Sequence, residues 1–278
     1  MRFRIVALDV DGTLTNSKGE ITERTRRAVQ RAAERGALVV VVTGRRFCSA
    51  KPIVEALGVD LMIAAHNGAL LKKLDGEFIT GVFLEPEYAR LAVGMLKRIG
   101  AEPIVYRGTG DYAEIFVEPP RNEWLADYIE RNREHARIVP SLEETISWEA
   151  LEVLAVVRAD ESEEIVRSLR EGLEGKAKVL KQIPQGDDRA FIEVAHRECA
   201  KDYPLRYLCG KLKIRREEVV AFGDNYNDRE MLEFAGLGVV MGNAHDELKE
   251  EGRFLIAPSN DEDGVAQVLE RLMEEGRI

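Results

Sequence analysis

The chain has 278 residues, of which 45% are hydrophobic and 32% charged; that composition excludes a disordered, collagenous or disulfide-stapled protein and suits one large domain or a core with an insertion. Lys and Arg number 40 against 50 Asp and Glu, a formal charge of −10, so no bulk attraction draws the protein to nucleic acid or an anionic membrane, and an anionic ligand needs a local site. Cys48, Cys199 and Cys209 are too scattered for a disulfide framework. No apolar run approaches the roughly 20 residues of a membrane helix, and the first residues read as a strand rather than a signal peptide, so a cytoplasmic protein is expected.

Ile5-Val6-Ala7-Leu8 reads as a strand buried on both faces, ending in Asp9-Val10-Asp11-Gly12. A helix follows, with Thr22 as N-cap, Ala28, Val29, Ala32 and Ala33 as its apolar stripe, and Gly36 just past its end. Leu38 to Val42 is a second strand, Lys51 to Leu57 a helix, and Leu61 to Ala65 a third strand. Repeated βα units of this kind predict a doubly wound parallel sheet, a Rossmann-like α/β core. After Asn67-Gly68, Leu70 to Leu74 and Phe78 to Phe83 flank Asp75-Gly76, the signature of a type I′ hairpin.

From residue 84 to 187 the pattern is that of an inserted α+β module. Helices at Pro86 to Ile99, Glu123 to Arg133 and Glu161 to Leu173 alternate with strands at Ile104 to Tyr106, Ala113 to Val117 and Val153 to Val157. The core is expected to comprise residues 1–83 and 188–278. Its second part opens with a strand at Phe191 to Val194, continues with a helix from about Lys201 toward Leu212, and has further strands at Val219 to Phe222, Gly238 to Met241 and Phe254 to Ile256. Helices at Asp228 to Ala235 and Asp263 to Glu275 complete it.

Asp9 and Asp11, two apart on a strand, send both carboxylates from one face about 6.5 Å apart, at the sheet edge where open α/β folds bind ligands. Two carboxylates sharing a site repel unless a cation joins them, and oxygen ligands favour a hard ion such as Mg²⁺; the alternative is a solvated acidic pair in a loop. Thr43-Gly44-Arg45 ends the second strand with a hydroxyl, a glycine and a guanidinium, a set suited to an oxyanion. By itself the tripeptide is also a common turn, and Arg45 or Arg46 also reads as a surface charge.

Gly223-Asp224-Asn225-Tyr226-Asn227-Asp228 places several carboxylates and carboxamides beside a helix N-terminus. Capping accounts for one of them. Asp224, directly after the strand, is placed to reach the same sheet edge as Asp9, which favours metal binding. Lys201 can neutralise a phosphoryl oxygen or act as a solvated helix-end lysine. His196 and Cys199 lack further ligands at zinc spacing and read as structural. Tyr106, Tyr112, Trp124 and Trp148 in the insertion either touch substrate or pack.

Taken in order, Asp9-Val10-Asp11-Gly12-Thr13-Leu14, Thr43-Gly44-Arg45, Lys201 and Gly223-Asp224-Asn225-Tyr226-Asn227-Asp228 resemble the four signatures of the haloacid dehalogenase superfamily. The insertion between the second and third signatures, with Asn67-Gly68-Ala69, Met241-Gly242-Asn243-Ala244 and Ser259-Asn260-Asp261-Glu262-Asp263-Gly264, is similar to the Cof-type branch with its large α/β cap. The resemblance implies Asp9 as nucleophile and Asp11 as general acid/base, with Asp9, the Asp11 backbone carbonyl and Asp224 holding Mg²⁺. It implies phosphoryl binding by Thr43 and Lys201, substrate contacts from Gly44, Arg45, Asn67, Gly68 and Asn227, and support of the metal end by Asn227 and Asp228. In one place the chain departs from the family: glycine usually follows the third-signature lysine, and here Asp202 stands there as a competing partner for Lys201.

The expected activity is Mg²⁺-dependent hydrolysis of small phosphorylated metabolites, sugar phosphates foremost, through an aspartyl-phosphate, by a monomer or homodimer that binds neither nucleic acid nor membrane. A phosphomutase begins with the same chemistry, and a non-catalytic phosphometabolite-binding protein would keep the same site; both stay open at this stage.

Overall fold

Four apolar residues make up β1 (Ile5–Leu8), and all are buried because both faces of the strand are covered. It leads the series α1 (Glu23–Glu34), β2 (Leu38–Val42), α2 (Phe47–Val54), β3 (Leu61–Ala65), β4 (Leu70–Lys73) and β5 (Phe78–Gly81). Thr22 caps α1 by accepting from the Thr25 N–H at 3.1 Å. The computed structural model describes residues 2–183 and 188–278. Two compact units are present, Met1–Gly81 with Ala200–Ile278, and Val82–Cys199.

The β4–β5 turn differs from the expected type I′. Gly76 N–H closes it onto the Lys73 carbonyl at 3.0 Å, and Gly76 takes positive φ while Asp75 does not. A two-residue type I′ turn needs both central residues in that region, so the loop is longer, with Lys73 N–H bonded to the Glu77 carbonyl.

In the second unit α3 (Pro86–Arg98), β6 (Ile104–Arg107), β7 (Glu114–Val117), α4 (Glu123–Arg131), β8 (Ala136–Ile138), α5 (Leu142–Thr145), β9 (Glu152–Arg158), α6 (Ser162–Gly172), β10 (Ala177–Gln182) and β11 (Arg189–His196) follow in turn. Their strands form a sheet in the order β10-β11-β9-β6-β7-β8, antiparallel except for β7 with β8. Val93 and Leu96 of α3 and Val166 and Leu169 of α6 bury one face of it against Val153, Ala155, Ile192 and Val194. This is an α+β unit, as the sequence suggests, but its boundary is not where the sequence suggests. Of the expected junction at 187 and 188, residue 187 lies outside the described residues. Residues 188–199, expected in the first unit, belong to the second, because β11 is bonded on both sides, to β9 and to β10.

The first unit resumes with α7 (Tyr203–Leu212), β12 (Val219–Gly223), α8 (Arg229–Phe234), β13 (Leu237–Val240), α9 (Asp246–Glu250), β14 (Leu255–Ile256) and α10 (Gly264–Glu274). Its sheet has the order β14-β13-β12-β1-β2-β3-β4-β5, parallel as far as β3, with β4 and β5 added antiparallel at one edge. Alternate residues of each strand enter opposite cores. Val6, Leu8, Val39 and Val41 pack with α1, α2 and α10, while Ile5, Ala7, Val40 and Val42 pack with α7, α8 and α9. The result is a doubly wound α/β sheet. Successive strands run outward on one side from β1 to β3 and on the other from β12 to β14, so the order reverses between β1 and β12. The crevice beyond the carboxyl ends of those two strands is where such folds place ligands. Among the described residues, no helix is long and apolar enough to cross a membrane.

Candidate active site

Asp9 is the first residue past β1, and its N–H continues the parallel pairing by donating to the Phe222 carbonyl at 3.1 Å. The chain then turns tightly through Val10–Leu14, with Leu14 N–H on the Asp9 carbonyl and Thr15 N–H on the Val10 carbonyl. Gly12 takes φ +78°, and a Cβ there would lie 2.4 Å from Asp224 Oδ2. Only glycine permits both the turn and that approach. Thr13 completes the contact, its hydroxyl donating to Asp224 Oδ1 at 2.8 Å.

Asp224 follows β12, and Asp228 closes the next turn at the head of α8. Asp228 is fully buried. Its Oδ2 accepts from the N–H groups of Asp224 at 3.0 Å and Asn225 at 2.9 Å, which fixes the loop that carries Asp224. Its Oδ1 accepts from Lys201 Nζ at 2.5 Å, and the same ammonium donates to Asp9 Oδ1 at 2.7 Å. Lys201 is only 2% exposed. Asp202, its expected competitor, turns away and pairs with Arg206 one helical turn on, at 2.8 Å.

Carboxylate oxygens of Asp9, Asp224 and Asp228 all lie within 4.8 Å of one another, and among the described residues these three form the single cluster of that kind. One lysine against three carboxylates leaves negative charge uncompensated. Burial, followed by the Asp228 charge, drives the Asp9 pKa well above the ordinary carboxylate range even though Lys201 opposes it. Burial and then Asp228 likewise raise Asp224, to about 7. Lys201 is raised above the usual lysine value: burial alone would lower it, but Asp228 and Asp9 together outweigh that. A buried all-oxygen donor set with surplus negative charge fits a hard divalent cation such as Mg²⁺.

Asp11 departs from the strand geometry expected of it. β1 ends at Leu8, so Asp9 and Asp11 do not leave one strand face side by side. Asp9 is buried, whereas the Asp11 side chain is 56% exposed and lies against Arg45. Arg45 Nε donates to Asp11 Oδ2 at 2.7 Å and Nη2 to Oδ1 at 2.5 Å.

Beyond β2, Thr43 is buried and its hydroxyl accepts the Arg45 N–H at 3.1 Å, with half-buried Gly44 between them. Asn67 N–H donates to the Thr43 carbonyl and His66 N–H to that of Arg45, both at 3.0 Å, so the ends of β2 and β3 are laced together. Asn67 takes φ +52° and its Oδ1 accepts from Asn227 Nδ2 at 3.0 Å. Gly68 lets the loop pass the Ala200 carbonyl, which a Cβ would meet at 2.2 Å. Of the residues singled out in the sequence, Asp9, Lys201, Asp224 and Asp228 meet directly. Asn67 and Asn227 bond to each other, and Arg45 joins the Thr43 corner to Asp11.

Three further residues, to which the sequence points no role, belong to the site. Thr13 holds Asp224. Asn243 Nδ2 donates to the Gly12 carbonyl at 2.8 Å and Asn260 Nδ2 to the Thr15 carbonyl at 2.9 Å, while Asn260 N–H donates to Asn243 Oδ1 at 3.0 Å. The two asparagines thus clasp the loop that carries Asp9 to Thr13. Their signal in the sequence is the pair of polar, Gly-containing segments after β13 and β14.

A family model of haloacid dehalogenase-like hydrolases matches residues 6–269. A Haemophilus influenzae protein named as a phosphatase is 30% identical, covering 99% of this chain and 100% of that relative. A Bacillus subtilis relative named 5-amino-6-(5-phospho-D-ribitylamino)uracil phosphatase YitU is 29% identical, over 95% of this chain and 96% of its own. The crystal structure of a haloacid dehalogenase-like hydrolase from Bacteroides thetaiotaomicron superposes with a TM-score of 0.79 at 30% identity, covering 98% of this chain and all of that one. With the family match spanning nearly the whole chain, the protein belongs to the haloacid dehalogenase-like hydrolases, in their Cof-type phosphatase branch.

Proposed function

We propose that this protein is a Mg²⁺-dependent phosphatase that cleaves small phosphomonoesters, sugar phosphates foremost, through a phosphorylated Asp9. The observation that carries the reading is the buried Lys201 ammonium shared by Asp9 and Asp228, with Asp224 beside them. Asp9 and Asp224, the Asp11 backbone carbonyl and the supporting Asp228 are the groups that would hold the ion. When bound, Mg²⁺ supplies the positive charge that lets these carboxylates stay ionised together and offsets charge on the phosphoryl oxygens.

Lys201 fixes the Asp9 carboxylate before substrate arrives, so little orientation remains to be lost on the way to attack at phosphorus. Asp11 gives its proton to the leaving alcohol oxygen, then takes one from the water that cleaves the aspartyl-phosphate. The Thr43 hydroxyl accepts from the Arg45 N–H and keeps its own proton to donate to a phosphoryl oxygen. Gly44, Arg45, Asn67, Gly68 and Asn227 form the substrate side.

Replacing Asp9 with Asn is expected to abolish hydrolysis of a generic aryl phosphate in Mg²⁺; full retained activity would overturn the nucleophile assignment. For the substrate itself, a panel of sugar, polyol and nucleoside phosphates is assayed for phosphate release. The polyol phosphates are included because several relatives, YitU among them, are named for a substrate carrying a phosphoribityl group. Isomer formation without phosphate release would instead indicate a mutase.

A further inference from the structure

We infer that Arg45 has two competing anionic partners, the Asp11 carboxylate and the phosphoryl group of the substrate, and that taking up the second releases Asp11 for proton transfer. The inference rests on the phosphatase reading and adds a control step to it.

Both oxygens of Asp11 accept from the one guanidinium. The carboxylate assigned to proton transfer is therefore held in an ion pair outside the cluster of Asp9, Asp224 and Asp228. Arg45 is fixed at its backbone, and at its tip, among the described residues, it is held by Asp11 alone. Its N–H is bonded to the Thr43 hydroxyl and its carbonyl to His66 N–H, while its side chain is 38% exposed. The guanidinium thus sits at the end of a flexible side chain on a rigid base, two residues from the hydroxyl proposed to bind the phosphoryl group. A fork of parallel N–H groups suits a phosphoryl group as well as a carboxylate. Solvent-exposed ion pairs are weak, so exchanging one for a dianion in the site is inexpensive. By this account Arg45 is a positioning residue for Asp11: the arriving anion frees the carboxylate, which takes up a proton from solvent, passes it to the leaving oxygen and regains one from the attacking water.

The test is calorimetric binding of inorganic phosphate in excess Mg²⁺ to the wild type, Asp11→Ala, Arg45→Gln and the double variant. The altered pair is exposed, so the fold is retained. Asp11→Ala is expected to bind phosphate about two- to fivefold more tightly, because Arg45 no longer has a carboxylate to leave. Arg45→Gln weakens binding, and in its background Asp11→Ala brings no gain. In steady state with an aryl phosphate, Arg45→Gln raises KM, whereas Asp11→Ala lowers kcat and KM together. An equal gain from Asp11→Ala in both backgrounds would reduce the effect to a general loss of negative charge, and no gain would mean no competition; either result overturns the inference while leaving the phosphatase reading standing. A wild-type protein that binds phosphate but never hydrolyses an ester would overturn that reading, and the inference with it.

Discussion

Asp9 and Asp228, one just past β1 and the other at the head of α8, accept hydrogen bonds from the same buried ammonium, that of Lys201, at 2.7 and 2.5 Å. Among the described residues the lysine is the only positive group within hydrogen-bonding distance of either carboxylate, and Asp228 also fastens the loop that bears Asp224. Stability and the proposed chemistry therefore draw on the same three side chains.

Lys201→Met removes the cation and leaves two buried carboxylates facing each other. Breaking a buried pair in this way costs about 3–5 kcal/mol. Denaturant unfolding of the metal-free protein is expected to show a loss of that order, with Mg²⁺ restoring part of it, and phosphatase activity is expected to vanish. Unchanged stability would mean the ammonium is not what holds the pair.

Gly12 and Asp224 set a second constraint. Alanine at position 12 would have to adopt φ +78° and would place its Cβ 2.4 Å from Asp224 Oδ2. The backbone strain alone costs about 1–2 kcal/mol, and Asp224 must move away from the Thr13 hydroxyl. Gly12→Ala is expected to lower the unfolding midpoint and to weaken Mg²⁺ binding at least tenfold by calorimetry.

Asp224 also predicts a pH dependence. Its folded-state pKa of about 7 lies above the value of about 3.9 expected in the unfolded chain. Between those values the folded metal-free protein binds the proton more tightly. The resulting stabilisation is fully present below pH 4 and is lost as pH rises through 7. Mg²⁺ favours the ionised carboxylate and acts in the opposite sense. Thermal unfolding in chelator is thus expected to show this contribution falling from pH 5 to 8, while the increment due to Mg²⁺ grows over the same range. A Mg²⁺ increment independent of pH would contradict the placement of Asp224.

Asn243 reaches the Gly12 carbonyl and, through Asn260, is connected to Thr15. Asn243→Ala removes a bond worth about 1 kcal/mol and slackens the loop that aims Asp9. The expected outcome is a modest stability loss, a fall in kcat of about tenfold and little change in KM for an aryl phosphate, since the Thr43 corner proposed to bind the phosphoryl group is untouched.

Much of this arrangement is legible in the sequence, because it depends on short apolar strands ending in polar residues. Ile5 to Leu8 and Val219 to Phe222 announce buried parallel strands; Asp9 directly follows the first, and Asp224 follows the second after Gly223. What is hidden is side-chain direction. Asp11 lies two residues from Asp9, yet the chain leaves the strand before reaching it, and the turn at Gly12 leaves it opposite Arg45. Asp228 reads equally well as a helix cap, and nothing local reveals that its second oxygen meets a lysine far along the chain. β8 and β10 escape notice because both are edge strands bearing charged residues, which protects edges at the expense of strand signal. Phe191 to Val194 is visible as a strand, but its apolar run does not say which sheet it joins; the pairing of β11 with β9 decides that.

The claim beneath all of this is that Asp9, Asp224 and Asp228 together seat one divalent cation. Calorimetric titration of the metal-free protein with Mg²⁺ at neutral pH tests it directly, with Asp224→Asn alongside. One ion per chain in the wild type, with affinity lost in the variant, is the predicted result. No saturable binding, or binding that Asp224→Asn leaves unchanged, would contradict it.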